Sequence, residues 1–441
     1  MRLPWSRREA SLAGTPKPSP ADAPAAEAAA SQPDGPAGRT LYAARQPILD
    51  LQSRLHGYEL LFRGGPENRF DGTDADVASA STIEQGATAF GLEPLVGDRL
   101  AFVNLTRRAL LAGYHRMLPP ERAVIELLET IEPDAEVIAA CRAIRAEGYR
   151  LALDDYAFAP SSEPLLDLVD LVKVDLRLAS DACDPAKLEP LHRRKLTLLA
   201  EKVETHEEHR AARAAGYTLF QGYFFCKPEM IQTRDLPPSR VAALRFLAEV
   251  SREDVSFERL EALFRQDVAL TVRLLRYLNS AAFGWRHEIP SIGHALALMG
   301  QRPLRQWAMM MGLLQLADDK PSELSLTALA RARFAERIAP PSGLRDHGDE
   351  LFLGGMLSLM DAMVGRPLPE LLGGLAVPDR VRDALLQGQN PLGPALQLVT
   401  AYQCGDWQRV DAARSACPVD DRELGEAYVD SLAWAGNVAA A

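Results

Sequence analysis

The sequence predicts two folded domains of different classes, an α/β barrel followed by an all-helical bundle, and three observations support this. Between residues 41 and 232, eight short apolar runs rich in β-branched residues alternate with segments of helical character. Near-continuous apolar strands separated by helices are typical of a parallel sheet covered on both faces. The segment "DLPPSR" at 235–240 ends this pattern, and from Val241 onward apolar residues recur at every third or fourth position, which predicts helices.

The composition is that of an ordinary globular protein, with 441 residues, of which 47% are hydrophobic and 25% charged. A formal charge of −11 and a pI of about 5.4 argue against general binding to nucleic acid or acidic lipid, because such binding needs a basic face. Five widely spaced cysteines without a C-x-x-C pair indicate free thiols in a reducing cytosol. No apolar stretch approaches the roughly 20 residues of a membrane helix. We therefore expect a cytoplasmic protein without membrane insertion.

Residues 1–40 are rich in proline, alanine, glycine and serine, a composition that buries too little apolar surface to fold. The segment begins with basic residues but lacks the apolar core of a secretory signal. We predict a disordered tail that acts as a tether. The alternative is a docking motif formed by Trp5 and the arginines near it.

Eight predicted strands in about 190 residues indicate a (β/α)8 barrel that is TIM-like but more compact than usual. Only "DLQSR" separates the first run from the second, and a parallel crossover needs about a dozen residues. The first two strands are therefore predicted to pair antiparallel. In chain order, the runs are "LYAARQPIL", "HGYELLF", "RLAFVNL", "RAVIELL", "YRLALDD", "DLVKVDL", "KLTLLAEKV" and "YTLFQGYFF".

Polar side chains occur late in, or just after, seven of these runs. Because active sites of such barrels are built at the mouth where strand ends meet, we predict that these side chains converge. The alternative is that some of them cap the helices that follow, which would explain Asp155 but not a set spread over seven runs. The set comprises Glu59, Asn104, Glu126, Asp154, Lys173, Glu201 and Gln221.

The predicted mouth is strongly acidic, because Glu59, Glu126, Asp154 and Asp155 would share it with one amide and one lysine. Each like-charged pair at about 5 Å costs roughly 3 kcal/mol at an effective dielectric constant near 20, so protons or a multivalent cation must relieve the repulsion. Oxygen ligands without histidine or cysteine favour Mg²⁺ or Mn²⁺ over zinc. Such a set predicts a two-metal site for phosphodiester hydrolysis, which Asp154 and Asp155 would serve together.

Eight short motifs resemble, in order, those of the EAL-domain phosphodiesterases of bacterial cyclic di-GMP signalling. The resemblance extends from residue 41 to about 232, which implies a barrel domain over 41–232. "ELLFR" stands where the family has E-A-L-x-R. The motifs are "QPI" at 46–48, "ELLFR" at 59–63, "VNLT" at 103–106, "IELLET" at 125–130, "LDD" at 153–155, "VKVD" at 172–175, "AEKVE" at 200–204 and "FQGYFFCKP" at 220–228.

The resemblance implies a role for each matching residue. Lys173 would orient the attacking water, Glu201 would act as general base, and Gln221 would support the site. Glu129 would hold the loop after Asp155. The metal ligands would be Glu59, Asn104, Glu126, Asp154 and Asp155, with Mg²⁺ or Mn²⁺ as cofactor, and the dinucleotide contacts would be Gln46 and Arg63, whose guanidinium suits a phosphate oxygen pair.

The departures from the family pattern lie in the loops around these residues. The family's D-D-F-G-x-G is "DDYAFAP" here, and glycine reaches positive φ values that Ala157, Phe158 and Ala159 disfavour. Lys202 replaces a glycine beside Glu201, where an ammonium would favour ionised Glu201 and compete with metal or phosphate. We therefore expect a degenerate EAL domain with weak or no hydrolysis. The alternative is an active phosphodiesterase that produces linear pGpG.

The second half resembles the HDOD domain, a helical module of bacterial signalling proteins, through "LLRYLNSAAFG" at 274–284 and "IPSIGHALALMG" at 289–300. The module is related to metal-dependent HD phosphohydrolases but lacks their metal ligands. "GGMLSLMD" at 354–361 places Ser358 and Leu359 at the apparent His-Asp positions. The resemblance implies an HDOD domain over 233–441, closed by a helix over "DRELGEAYVDSLAWAGNVAA".

Together these features predict a cytoplasmic signalling regulator. The barrel would either sense a ligand, with cyclic di-GMP as the candidate, or bind a partner. The HDOD domain would contact an unidentified protein partner, and homo-oligomers are compatible with both domains. A third hypothesis, nucleic-acid binding, rests only on phosphodiester chemistry and Arg-rich stretches such as "LHRRK". The acidic net charge opposes it.

Overall fold

The structure is a computed structural model, and it describes residues 42–63, 92–178, 181–227, 238–252, 255–266, 272, 274, 300–317 and 320–440. The predicted tail at 1–40, the predicted domain boundary at 232–233 and most of the HDOD-like segment at 274–300 lie outside these ranges. Within them, no helix combines the length and the apolar character that a membrane crossing requires.

The first part of the chain alternates strands with short helices, as the spacing of the apolar runs predicts. The strands are β1 (Tyr42–Asp50), β2 (Leu55–Arg63), β3 (Leu100–Leu105), β4 (Ala123–Leu127), β5 (Arg150–Leu153), β6 (Leu171–Asp175), β7 (Thr197–Glu201) and β8 (Leu219–Gln221). The helices among them are α1 (Glu93–Val96), α2 (Arg107–Ala112), α3 (Ala135–Ala146), α4 (Glu163–Leu166), α5 (Pro185–Arg193) and α6 (His206–Ala215).

The eight strands form a closed barrel in sequence order, which confirms the predicted fold. Strand β1 is antiparallel to both of its neighbours, β2 and β8, whereas the other strands pair in parallel. The short β1–β2 turn is stabilised by Asp50 Oδ1, which accepts hydrogen bonds from the main-chain N–H groups of Gln52 and Arg54. This hairpin places Gln46 opposite Glu59.

An apolar layer fills the barrel beneath the polar residues. Successive side chains of a strand point to opposite faces, so residues two apart share a face. Each of the predicted site residues Asn104, Glu126, Asp154, Lys173, Glu201 and Gln221 lies two positions after one member of this layer. The layer consists of Ile48, Phe102, Val124, Ala152, Leu171, Leu199 and Leu219. In β2 the corresponding residue is Gly57, where an added Cβ would lie 3.0 Å from the Phe102 ring.

All the regular secondary structure described in the second part of the chain is helical, as predicted. The helices are α7 (Pro238–Ser251), α8 (Phe257–Gln266), α9 (Gln301–Leu316), α10 (Ser322–Ile338), α11 (Gly348–Leu357), α12 (Met360–Val364), α13 (Leu368–Gly373), α14 (Asp379–Leu386), α15 (Leu392–Gln403), α16 (Trp407–Arg414) and α17 (Asp421–Ala440). Helix α10 packs on α11 and α17, α9 packs on α7, and α15 packs on α14 and α16.

The helical part packs directly against the barrel at β1, which contacts α15 and α17. The buried Tyr58 hydroxyl of β2 donates to Glu323 Oε2 of α10 at 2.9 Å. The Arg45 guanidinium lies 4.0 Å from the centre of the Tyr58 ring. A buried carboxylate is costly unless it is hydrogen-bonded, so this contact ties the hairpin to the helical part.

Candidate active site

Lys173 stands at the centre of the barrel mouth, fully buried among four carboxylates. Its Nζ lies 3.2 Å from Glu59 Oε2, 2.8 Å from Glu126 Oε1, 2.8 Å from Asp154 Oδ1 and 2.9 Å from Glu201 Oε1. An ammonium has only three N–H donors, so it cannot align with four acceptors. The contacts with Glu126 Oε1 and Asp154 Oδ1 are close ion pairs that lack hydrogen-bond angles.

Two amides complete this centre. Asn104 Nδ2 donates to Glu59 Oε1 at 2.9 Å. Gln221 Nε2 donates to Glu59 Oε2 and, at 2.8 Å, to Gln46 Oε1. Both amides therefore direct their N–H groups at acceptors and leave their oxygens, Asn104 Oδ1 and Gln221 Oε1, buried without a hydrogen-bond partner.

Burial and mutual repulsion raise the pKa values of three of the four carboxyl groups. Burial raises the pKa of Glu126 well above its usual range, against the charge of Lys173, and Glu59 and Asp154 raise it further. Burial likewise raises the pKa of Asp154 to about 6 and that of Glu201 to about 8. Burial would also raise the pKa of Glu59, but Lys173 and the Gln221 hydrogen bond lower it below its ordinary value. One ammonium does not neutralise this centre.

The donor set fits a divalent cation. Glu59, Glu126 and Asp154 each offer a carboxylate oxygen, and these oxygens lie within 4.8 Å of one another. Asn104 Oδ1 and both oxygens of Glu126 lack hydrogen-bond partners, although buried polar atoms normally have one. An all-oxygen set with carboxylates suits Mg²⁺ or Mn²⁺.

Three predicted residues lie outside this centre or cannot be placed. Asp155 does not belong to the group of three converging carboxylates, although its charge contributes to the raised pKa of Asp154. Glu129 is exposed, and its side chain forms no hydrogen bond or ion pair with the loop after Asp155 among the described residues. The Arg63 side chain lies outside what the structure describes. The roles of these three residues stay predictions.

Two residues of the loop after β5 have the positive φ that favours glycine, Asp155 with a φ of 42° and Phe158. Phe158 has a φ of 57°, which costs a non-glycine residue roughly 1–2 kcal/mol. Its ring packs on Tyr156 with centroids 5.1 Å apart, and Tyr156 N donates to Lys173 O at 2.9 Å. Aromatic packing therefore holds this loop in place of the glycines.

Lys202, which replaces the family's glycine, has a φ of 53°. Its ammonium pairs with Asp175, and the charge of Glu201 contributes to the raised pKa of Lys202, so the expected attraction between Lys202 and Glu201 is present. Burial outweighs this attraction and raises the pKa of Glu201 to about 8. Asp175 also accepts a hydrogen bond from Arg177 N at 2.7 Å. No role was predicted for Asp175 from the sequence, although its position at the end of "VKVD" could have indicated this supporting role.

The helical part contacts the site through the turn between α15 and α16. Gln46 Nε2 donates to Cys404 O at 2.9 Å, and the Tyr223 hydroxyl donates to Gln403 O at 2.7 Å. Gly405 has a φ of 65°, and an added Cβ would clash with Leu61. The turn therefore lies against the residue predicted to contact the dinucleotide.

Comparisons with known proteins agree with this architecture. The family model of the EAL domain matches residues 99–228, and that of the HDOD domain matches residues 236–364. Over 402 residues the chain is 34% identical to "Cyclic di-GMP phosphodiesterase CdgJ" of Vibrio cholerae, a match that covers 90% of this chain and 93% of that protein. The chain belongs to the EAL–HDOD family of signalling proteins.

Two further relatives of this EAL–HDOD protein illustrate the range of matches. "Uncharacterized protein YuxH" of Bacillus subtilis is 31% identical over 406 residues, which cover 90% of this chain and 98% of that protein. A manganese and cyclic di-GMP complex of Klebsiella pneumoniae BlrP1 is 28% identical, with a TM-score of 0.37, and the match covers 43% of this chain and 56% of that chain. The EAL family model begins after β2, so Gln46 and Glu59 lie outside its match.

Proposed function

We propose that this EAL–HDOD protein is a metal-dependent phosphodiesterase that cleaves cyclic di-GMP to linear pGpG. The observation that carries the proposal is the buried centre of four carboxylates around Lys173, with oxygens that lack hydrogen-bond partners. Four ionised carboxylates around one ammonium would leave an excess of negative charge, which is costly in a protein interior. The name of the Vibrio cholerae relative supports the same activity. The proposal departs from the hydrolytically weak domain that the loop sequences predicted.

The residues divide into metal ligands and proton-handling groups. Glu59, Asn104, Glu126 and Asp154 would hold Mg²⁺ or Mn²⁺, with Asp155 as a further ligand of a second ion. Such ions neutralise phosphate charge and lower the pKa of bound water.

Glu201 would take the proton of the attacking water, because one of its oxygens is buried without a partner while the other contacts Lys173. A base must be ionised, and positive charge beside Glu201 favours that form. Lys173 would orient the attacking water and hold Glu201, and Gln221 would fix Glu59 through its hydrogen bond.

The test is a hydrolysis assay with the full chain, cyclic di-GMP and Mg²⁺ or Mn²⁺, in which linear pGpG is resolved by chromatography. Glu201→Gln keeps the shape of the side chain and removes the base, so we expect a loss of about a hundredfold or more. The matched control is Glu207→Gln, on the exposed face of α6 and paired with Arg210. Equal rates for wild type and Glu201→Gln, or no pGpG from the wild type with either metal, would contradict the proposal.

A second candidate is binding of cyclic di-GMP without cleavage. It is favoured by the engagement of Gln46, whose amide is already hydrogen-bonded to Cys404 O and Gln221. Calorimetric titration of cyclic di-GMP, with and without Mg²⁺, combined with the hydrolysis assay, distinguishes binding without cleavage from hydrolysis. Saturable binding with no product after prolonged incubation would support the second candidate and reject the first.

A further inference from the structure

The helical part contains a cavity of about 740 Å³ that lies among α10, α13, α14, α15 and α16. Two arginines line it and no acidic residue does, in a chain whose formal charge is −11. Its other walls combine apolar side chains with the polar side chains of Ser358, Gln387, Gln397 and Thr400. The apolar side chains include Leu368, Leu385, Leu386, Leu396, Ala401 and Ala412.

Arg331 is the buried charge of this cavity, with 4% of its surface exposed. Its Nε donates to Gln403 Oε1 at 2.8 Å, and its Nη1 donates to Ser358 Oγ at 3.0 Å. Both acceptors are neutral. Among the residues that the structure describes, no carboxylate forms an ion pair with Arg331, although Asp361 senses its charge. A buried guanidinium that forms no direct ion pair is rare, since charged residues are seldom buried unless paired.

Arg333 on the same helix shows the ordinary arrangement. Its Nη1 pairs with Glu336 Oε2 at 2.7 Å, and its guanidinium lies 5.7 Å from the Trp434 ring. The two arginines differ by two positions, so they project from different faces of α10. Among the described residues, Arg331 on the face that lines the cavity therefore lacks the close ion pair that Arg333 forms.

We propose that this cavity binds a small anion, a phosphate or carboxylate group on an apolar body, and that Arg331 is its charge partner. A guanidinium matches the paired oxygens of both groups. Ser358 Oγ accepts from Arg331 and donates to Gly355 O at 2.7 Å, so it holds the guanidinium in place. Arg409 also lines the cavity, although its Nε lies 3.5 Å from Asp406 Oδ2, and the leucine walls suit an apolar body.

The test is calorimetric titration of the full chain in metal-free buffer with phenyl phosphate, benzoate and inorganic phosphate. We expect one equivalent of phenyl phosphate or benzoate to bind at millimolar or lower concentration. Arg331→Gln should weaken this binding about tenfold or more, because hydrogen bonds to charged groups are strong. Arg333→Gln is the matched control, and we expect its affinity to stay within about twofold of the wild type.

Ala412→Trp gives an independent test, because Ala412 is exposed yet lines the cavity. An indole there should obstruct the cavity with Arg331 intact, and we expect a loss comparable to that of Arg331→Gln. If Arg331→Gln does not fold, the affinity of Ala412→Trp decides whether the anion binds in this cavity. The proposal is overturned if neither organic anion binds the wild type at about 10 mM, far above ordinary ligand affinities. It is also overturned if Ala412→Trp binds the organic anions as tightly as the wild type. The same holds if Arg333→Gln, and not Arg331→Gln, weakens their binding.

Discussion

Lys173 in the barrel and Arg331 in the helical part are both buried cations, but their surroundings are opposite. Lys173 contacts four carboxylates, which together leave an excess of three negative charges when all are ionised. Arg331 contacts two neutral oxygens, from Gln403 and Ser358, and forms no ion pair with a carboxylate among the described residues, although Asp361 senses its charge. Since an unbalanced buried charge is costly, each centre indicates the sign of what it binds: cations in the barrel and an anion in the helical part.

The first prediction tests the contrast between Lys173 and Arg331 by replacing each cation with a neutral residue. Lys173→Met leaves four carboxylates without a counter-charge, and we expect a loss of roughly 3–5 kcal/mol in the free energy of unfolding. Arg331→Met removes an uncompensated charge and leaves two neutral acceptors, so we expect a loss of only about 1–2 kcal/mol. Urea unfolding of the metal-free proteins measures both. A loss for Arg331→Met as large as that for Lys173→Met would mean that the two centres are not electrostatic opposites.

The barrel centre and its strands were predictable because strand geometry has a simple period. Lys173 and Glu201 each follow an interior leucine by two positions, so the sequence predicts that they point into the barrel. What could not be predicted was that Lys173 contacts all four carboxylates at once. That arrangement depends on the barrel's closure and stagger, which the pattern of apolar runs does not report.

Sequence patterns could not predict the contacts between the barrel and the helical part. Gln46 and Cys404, which share a hydrogen bond, are 358 residues apart, and local periodicity carries no information about such pairs. The burial of Arg331, in contrast, could have been predicted from the sequence. It continues the apolar spacing of α10, together with Leu324, Ala328 and Ala335, and a charged residue on an apolar face signals a buried charge.

The second prediction concerns the ions that the barrel centre is expected to take up. Mn²⁺ at about 100 times its dissociation constant should stabilise the wild type by about 2.7 kcal/mol, because binding to the folded state alone shifts unfolding. Glu126→Gln removes a carboxylate of the converging group and should abolish most of this gain. Thermal unfolding in EDTA and in Mn²⁺ measures the difference. An unchanged gain in Glu126→Gln would place the bound ion elsewhere.

The smallest expected change in stability comes from giving Arg331 the carboxylate it lacks. In Ser358→Asp, a carboxylate replaces the hydroxyl that accepts from Arg331 at 3.0 Å. Desolvation of the new charge offsets most of the attraction, so we expect the free energy of unfolding to change by no more than about 1 kcal/mol. The affinity for phenyl phosphate should nevertheless fall about tenfold or more, since the new carboxylate competes for the guanidinium and repels the anion. Ser358→Asn, which has the same shape without the charge, should keep most of the affinity. If the two variants bind phenyl phosphate equally well, the missing negative charge is not what the cavity recognises, and the contrast between Arg331 and Lys173 has no consequence for binding.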